Sequence, residues 1–112
     1  MTFDISLWEK TIEERDQKRE AERREALEKA LKALKDFFKH KKVKKVYLVG
    51  SILREGWFYP FSDIDIAVEG LREDPLQLGC ALEHLLDRDV DLIELERCPF
   101  QDSIEKRGVR IL

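Results

Sequence analysis

The chain is poor in the residues that build disulfide-rich, zinc-stapled or membrane-spanning proteins. Its 112 residues include only two cysteines, Cys80 and Cys98, which form no CxxC pair. We therefore expect neither a disulfide framework nor a zinc site, but two reduced, partly buried thiols. No apolar run approaches the roughly 20 residues that a membrane-spanning helix needs.

The N-terminal segment MTFDISLWEK lacks both the basic and the apolar region of a secretory signal peptide. We therefore predict a cytoplasmic protein. A length of 112 residues suits one folded domain and leaves no room for a second core. The net charge of −3 indicates neither a membrane-surface protein nor a direct nucleic-acid binder.

Charge is distributed unevenly along the chain. Residues 1–45 carry 14 Lys or Arg against 10 Asp or Glu, whereas residues 46–112 carry 7 against 14. Two interpretations are open. The basic segment is either an interaction surface on an acidic body or a salt-bridged helix that packs on an acidic domain.

Residues 6–40 contain no glycine or proline, and we predict one long helix there. A stripe of apolar residues with the i, i+3, i+4, i+7 spacing of a core-facing helix runs from Leu27 to Phe38. Between Glu13 and Glu25 almost every residue is polar, which indicates a solvated stretch. We therefore divide the chain into an N-terminal helix over residues 1–42, partly protruding, and a core over residues 43–112.

The rest of the chain alternates short apolar segments with turn residues and amphipathic stretches. Strands are predicted over residues 43–49, 63–68, 89–95 and 109–112, and helices over residues 51–54, 74–87 and 99–107. Asp74 and Pro75 fit the N-cap and the first position of the middle helix. This order predicts an α/β fold with a small mixed β-sheet and packed helices.

Two aspartates lie at positions i and i+2 of the second predicted strand. Such residues point to the same face of a sheet, so we expect Asp63 and Asp65 side by side, with the alternate residues facing the core. Neighbouring carboxylates repel each other unless a cation lies between them, and Mg²⁺ binds to one or two carboxylates together with substrate phosphates. The next strand carries another acid, Asp91, between aliphatic residues.

Gly50 and Ser51 end the first predicted strand. A glycine lets a phosphate approach the backbone closely. The N–H groups at the start of the following helical turn can hold anionic oxygens. The sequence therefore predicts a phosphate site near the carboxylates.

Together, these residues resemble the DNA polymerase beta-like nucleotidyltransferase superfamily, whose pattern is a strand, Gly-Ser, a variable loop, Asp-x-Asp and a third acid on a later strand. The match here is Gly50-Ser51, eleven residues, Asp63-Ile64-Asp65 and then Asp91, within residues 43–112. The resemblance implies that Gly50 and Ser51 bind the triphosphate of ATP. It also implies that Asp63, Asp65 and Asp91 are catalytic and bind two Mg²⁺ ions, with Asp91 deprotonating the attacking hydroxyl.

The loop after Ser51 departs from the pattern of small members, which commonly have ten residues before the first aspartate, an arginine after the serine and an Arg-Gly pair. Here Ile52 follows Ser51, and Glu55 separates Arg54 from Gly56. One inserted residue explains the difference and keeps Arg54 as a phosphate contact. The loop also contains aromatic residues that either stack on the adenine or pack within the loop: Trp57, Phe58, Tyr59 and Phe61.

From its length, we expect the chain to have no second domain to hold an acceptor. Stand-alone cores of this kind resemble the minimal nucleotidyltransferases that are antitoxins of HEPN ribonuclease toxins. The resemblance implies a Mg²⁺-dependent enzyme that transfers AMP from ATP to a tyrosine of a HEPN toxin and forms a hetero-oligomer with it. Two alternatives are open: a nucleotidyltransferase with another small-molecule or protein acceptor, and a non-catalytic binding module. The three intact acids argue against the second alternative.

Overall fold

The structure is a computed structural model that describes residues 5–112. These residues form three α-helices, α1 (Ile5–Phe38), α2 (Pro75–Leu86) and α3 (Gln101–Arg107). They also form four strands, β1 (Lys45–Val49), β2 (Ile64–Glu69), β3 (Val90–Glu94) and β4 (Val109–Arg110). Single 3₁₀ turns lie at Ser51–Leu53 and Leu95–Arg97. The predicted α/β class, with a long N-terminal helix, is confirmed.

The four strands form one mixed sheet in the order β3-β2-β1-β4. β1 is antiparallel to both β2 and β4, and β2 is parallel to β3. The parallel pair needs a crossover connection, which α2 provides. As a result, the end of β1 lies next to the beginnings of β2 and β3.

Helix α1 is much longer than the body on which it packs. Its 34 residues correspond to about 51 Å at 1.5 Å per residue, and the whole molecule measures 65 × 28 × 20 Å. Residues 6–18 are all exposed, whereas Ala30, Leu34 and Phe38 are buried against the sheet. Ion pairs such as Glu25–Lys29, at 3.0 Å, connect successive turns of the exposed face.

The sheet has two unequal apolar faces. The main core lies between one face, the C-terminal part of α1 and α2, and it includes the fully buried Leu48, Ile66 and Leu82. The opposite face carries a smaller cluster of Tyr47, Ala67 and Leu95 under Ile104 of α3. α2 begins as predicted, because the Asp74 side chain accepts a hydrogen bond from the N–H of Leu76 at 3.0 Å.

Some predicted boundaries and exposures were wrong. β1 begins at Lys45, two residues later than predicted, and α3 begins at Gln101, after Pro99 and Phe100 form a turn. Both cysteines are free thiols, but Cys80 lies on the solvent side of α2 and is exposed. Among residues 5–112, no helix combines the length and the apolar character that crossing a membrane requires.

The burial of Leu34 predicts that the C-terminal part of α1 is needed for the stability of the whole domain. Leu34→Ala should lower the free energy of unfolding by about 2–5 kcal/mol, because it leaves a cavity in the main core. Lys35→Ala, the exposed next residue, should change it by less than about 0.5 kcal/mol. Urea denaturation of both variants measures this difference, and equal effects would contradict the packing of α1.

Candidate active site

The three predicted acids lie together at one end of the sheet. Asp65 on β2 is directly opposite Asp91 on β3 and opposite Val49 on β1. Residues paired in this way point to the same face of a sheet. Asp63 lies two residues before Asp65, immediately before the first residue of β2. The structure therefore groups all three carboxylates at the edge where β2 and β3 begin.

The pKa of Asp65 is consistent with this grouping. Burial, followed by the negative charges of Asp91 and Asp63, raises the pKa of Asp65 from 3.8 to about 6. Asp65 is half-buried, whereas Asp63 and Asp91 are exposed. Near neutral pH the three groups therefore form a concentrated negative charge that a cation would relieve.

Gly50 lies against the carboxylate of Asp65. Its backbone has a φ of 88°, which favours glycine, and a β-carbon at this position would collide with the Asp65 side chain. The sequence suggested only that Gly50 leaves space for a phosphate. In the structure, the Asp65 side chain also leaves no room for a larger residue at position 50. The end of β1 and the carboxylates therefore form one site.

The Ser51–Leu53 turn follows Gly50 directly. The N–H of Leu53 donates to the carbonyl oxygen of Gly50 at 3.1 Å, and the N–H of Arg54 donates to that of Ser51 at 3.0 Å. The N–H groups of Ser51 and Ile52, at the start of the turn, do not donate to its hydrogen bonds. The side chain of Ile52 is fully buried in the main core and anchors the turn.

A cleft of about 580 Å³ opens beside this turn. Gly50, Ser51 and Arg54 line it together with Ser103 and Arg107 of α3. The two arginines give the cleft positive charge within an acidic part of the chain, which suits an anionic ligand. Sequence reasoning identified Arg54 and missed Arg107, because Arg107 belongs to no motif and reaches the cleft only through the fold.

The aromatic side chains of the loop have different environments: one is buried in the core, and another lines the cleft. Phe58 is buried in the main core, and Tyr59 stacks on Phe61 with ring centroids 5.4 Å apart. Trp57 is 64% exposed and lines the cleft, with the guanidinium of Arg54 5.9 Å from its ring centroid. Of the four aromatic residues, Trp57 is therefore the one placed to stack on a base.

The carboxylates have the donor chemistry for a hard divalent cation. Across the part of the chain that the structure describes, no group of three or more His, Cys, Asp or Glu side chains forms a ready-made metal site. Mg²⁺ does not require one, since it keeps several waters and takes ligands from substrate phosphates. The effect of the Asp91 and Asp63 charges on the pKa of Asp65 fits a cation shared with a bound nucleotide.

Clustered carboxylates beside a backbone turn and a cationic cleft are the arrangement of a nucleotidyltransferase. Residues 32–112 match the family described as Polymerase beta, Nucleotidyltransferase. The chain belongs to this family. The match includes the last residues of α1 together with the whole sheet.

Solved structures of toxin–antitoxin proteins are similar to this chain. One, described as a toxin–antitoxin with AMP-PNP, is 31% identical, with a TM-score of 0.56 over 76% of this chain and 71% of that chain. The toxin–antitoxin MntA–HepT is 27% identical, with a TM-score of 0.50 over 80% and 71%. No curated protein matches the sequence.

A third similar structure is a mutant of this toxin–antitoxin, whose two substitutions replace aspartates two positions apart with glutamate. It is 27% identical to this chain, with a TM-score of 0.51 over 63% of this chain. The chain spans 61% of the length of that relative.

The raised pKa of Asp65 predicts how the stability of the metal-free protein depends on pH. Burial and the neighbouring negative charges destabilise ionised Asp65 in the folded protein but not protonated Asp65. The resulting contribution of Asp65 to the free energy of unfolding is therefore largest below about pH 4 and is lost as the pH rises through about 6. Asp65→Asn removes this dependence. In thermal unfolding with a chelator, the melting temperature of the variant should exceed that of the wild type by more at pH 7.5 than at pH 4. A constant difference would contradict the raised pKa of Asp65.

Proposed function

We propose that this chain is an antitoxin, a Mg²⁺-dependent protein adenylyltransferase that transfers AMP from ATP to a tyrosine of a HEPN ribonuclease toxin and inactivates it. The observation that carries the proposal is the contact between Gly50 and the Asp65 carboxylate. A triphosphate held at the Gly50-Ser51 turn would lie within reach of the carboxylates, as phosphoryl transfer requires.

Each part of the site has a role in this reaction. The N–H groups of Ser51 and Ile52 bind the β- and γ-phosphates, and Arg54 adds a cation at the cleft wall. Asp63, Asp65 and Asp91 would hold Mg²⁺, which would neutralise the charge that develops on the phosphates. Trp57 packs against the adenine at the mouth of the cleft.

The bond changes follow from this placement. The tyrosine oxygen attacks the α-phosphorus of ATP, the bond from this phosphorus to the bridging oxygen breaks, and pyrophosphate leaves. Asp91 accepts the proton of the tyrosine hydroxyl. Asp91 suits this role because it is exposed and an incoming protein side chain can reach it.

Two of the similar structures support the choice of substrate and partner. The relative with AMP-PNP supports ATP as the nucleotide, and the MntA–HepT relative supports a toxin as the partner. The substituted aspartates of the mutant relative have the same spacing as Asp63 and Asp65. These likenesses at 27–31% identity favour the antitoxin function over other acceptors.

The exposed part of α1 also supports a protein partner. Trp8 is 56% exposed, and Ile12 lies one turn further along the same face. An exposed tryptophan on a helix that extends beyond its own core is typical of a residue that anchors another chain. We propose that the partly protruding helix of residues 1–42 contributes to toxin binding and that residues 43–112 carry the chemistry.

The first test removes two of the proposed metal ligands. The double variant Asp63→Asn with Asp65→Asn should lose AMP transfer while staying folded, because neither side chain contributes to the core. Mass spectrometry of the toxin after incubation with ATP and Mg²⁺ measures the added AMP. Asp89→Asn is the matched control, since Asp89 is an exposed acid immediately before β3. Undiminished transfer by the double variant would refute the metal assignment.

The second test concerns the turn that binds the triphosphate. Ser51→Ala should weaken ATP use about ten- to a hundredfold, because a hydrogen bond to a charged group contributes about 1.5–3 kcal/mol. Steady-state kinetics at varied ATP concentrations measures the effect, with Ser6→Ala on the exposed part of α1 as the control. The same dependence on ATP in both variants would show that Ser51 does not contact the nucleotide.

A further inference from the structure

We propose that Arg23 of α1 is a positioning residue for ATP. It would orient the triphosphate-binding turn and strengthen its N–H donors through a hydrogen bond to the carbonyl oxygen of Ile52. This inference rests on the proposed ATP site. Arg23 does not line the cleft, and no motif includes it. Its role comes from a hydrogen bond between the helix and the turn that spans 29 positions of sequence.

The Arg23 guanidinium joins two partners. Its Nη1 donates to the carbonyl oxygen of Ile52 at 2.9 Å, and its Nε donates to Oε2 of Glu20 at 2.9 Å. The side chain is only 12% exposed, so water competes little for these bonds. The hydrogen bond from Arg23, with a smaller contribution from Arg24, lowers the pKa of Glu20 to about 2, which keeps the carboxylate charged and able to hold the guanidinium.

The bond to Ile52 continues through the turn as a chain of peptide units. The carbonyl of Ile52 and the N–H of Leu53 belong to one planar peptide group, and this N–H donates to the carbonyl of Gly50 at 3.1 Å. The carbonyl of Gly50 shares its peptide group with the N–H of Ser51. The chain that begins at the guanidinium therefore ends at an N–H proposed to bind phosphate.

A positive charge at the start of such a chain has a defined effect. Each hydrogen bond polarises the next one, so the Arg23 cation makes the N–H of Ser51 a stronger donor. The same bond also fixes the turn mechanically, because Ile52 is held by its side chain in the core and by its carbonyl oxygen at Arg23. Both effects favour a bound triphosphate, and neither involves the adenine.

Arg24 provides a matched control. Its Nε donates to Oε1 of the same Glu20 at 3.0 Å, but its side chain is 72% exposed. Arg24→Gln therefore removes one positive charge and one bond to Glu20 from the same helix, without touching the turn. A difference between the Arg23 and Arg24 variants measures the bond to Ile52 and not the charge of α1.

The experiment compares Arg23→Gln, Arg23→Lys and Arg24→Gln in the full chain by isothermal titration with ATP, tripolyphosphate and adenosine. We expect Arg23→Gln to weaken binding of ATP and tripolyphosphate by about three- to tenfold, the effect of one net hydrogen bond. Adenosine binding should not change. In the transfer reaction the KM for ATP should rise while kcat changes little. Arg23→Lys, which keeps the charge, should recover part of the loss.

Each result has a defined meaning. If wild-type protein binds ATP and both Arg23 variants bind it as tightly as Arg24→Gln does, the positioning role is wrong and the proposed function stands. An equal loss for adenosine and tripolyphosphate would show a general structural effect and also overturn the inference. If the wild type binds neither ATP nor tripolyphosphate, the proposed function fails, and this inference fails with it. If Arg23→Gln loses its helical circular dichroism and so does not fold, the binding data of Arg23→Lys are judged by the same criteria instead.

Discussion

The register of β2 against its two neighbours determines the position of the candidate carboxylates. Ile64, Ile66 and Val68 are buried in the main core, and this burial fixes which face of the strand points inward. A shift by one residue would bury Asp65 and expose Ile66. The positions of the carboxylates are therefore a consequence of packing on the opposite face, several ångströms from the chemistry.

This packing holds together groups that repel each other. The free energy gained by burying the apolar face of β2 offsets the cost of keeping Asp65 near Asp63 and Asp91. The site is thus unfavourable by itself and is maintained by the rest of the fold, a common property of functional sites. A divalent cation would supply the positive charge that the folded chain leaves unbalanced at the carboxylates.

Local patterns predicted most of the fold and the acidic part of the site. Periodicity placed α1 and the strands within about two residues, and strand alternation grouped Asp63 with Asp65. The missing parts depend on contacts between distant segments. Arg107 reaches the cleft because β4 pairs with β1, and Arg23 binds a backbone carbonyl, which no residue type reveals. The exposure of Cys80 also depends on how α2 packs.

Ile52 connects the packing of the core with the shape of the turn at the cleft. Its side chain fills the main core, while its peptide group is part of the turn that faces the cleft. Softening of the core beneath Ile52 would therefore disorder the turn before the domain unfolds. Mutations that reduce packing around Leu34 or Phe38 would therefore lower nucleotide affinity before they unfold the domain. The interior of this small domain is thus constrained by ligand binding as well as by folding.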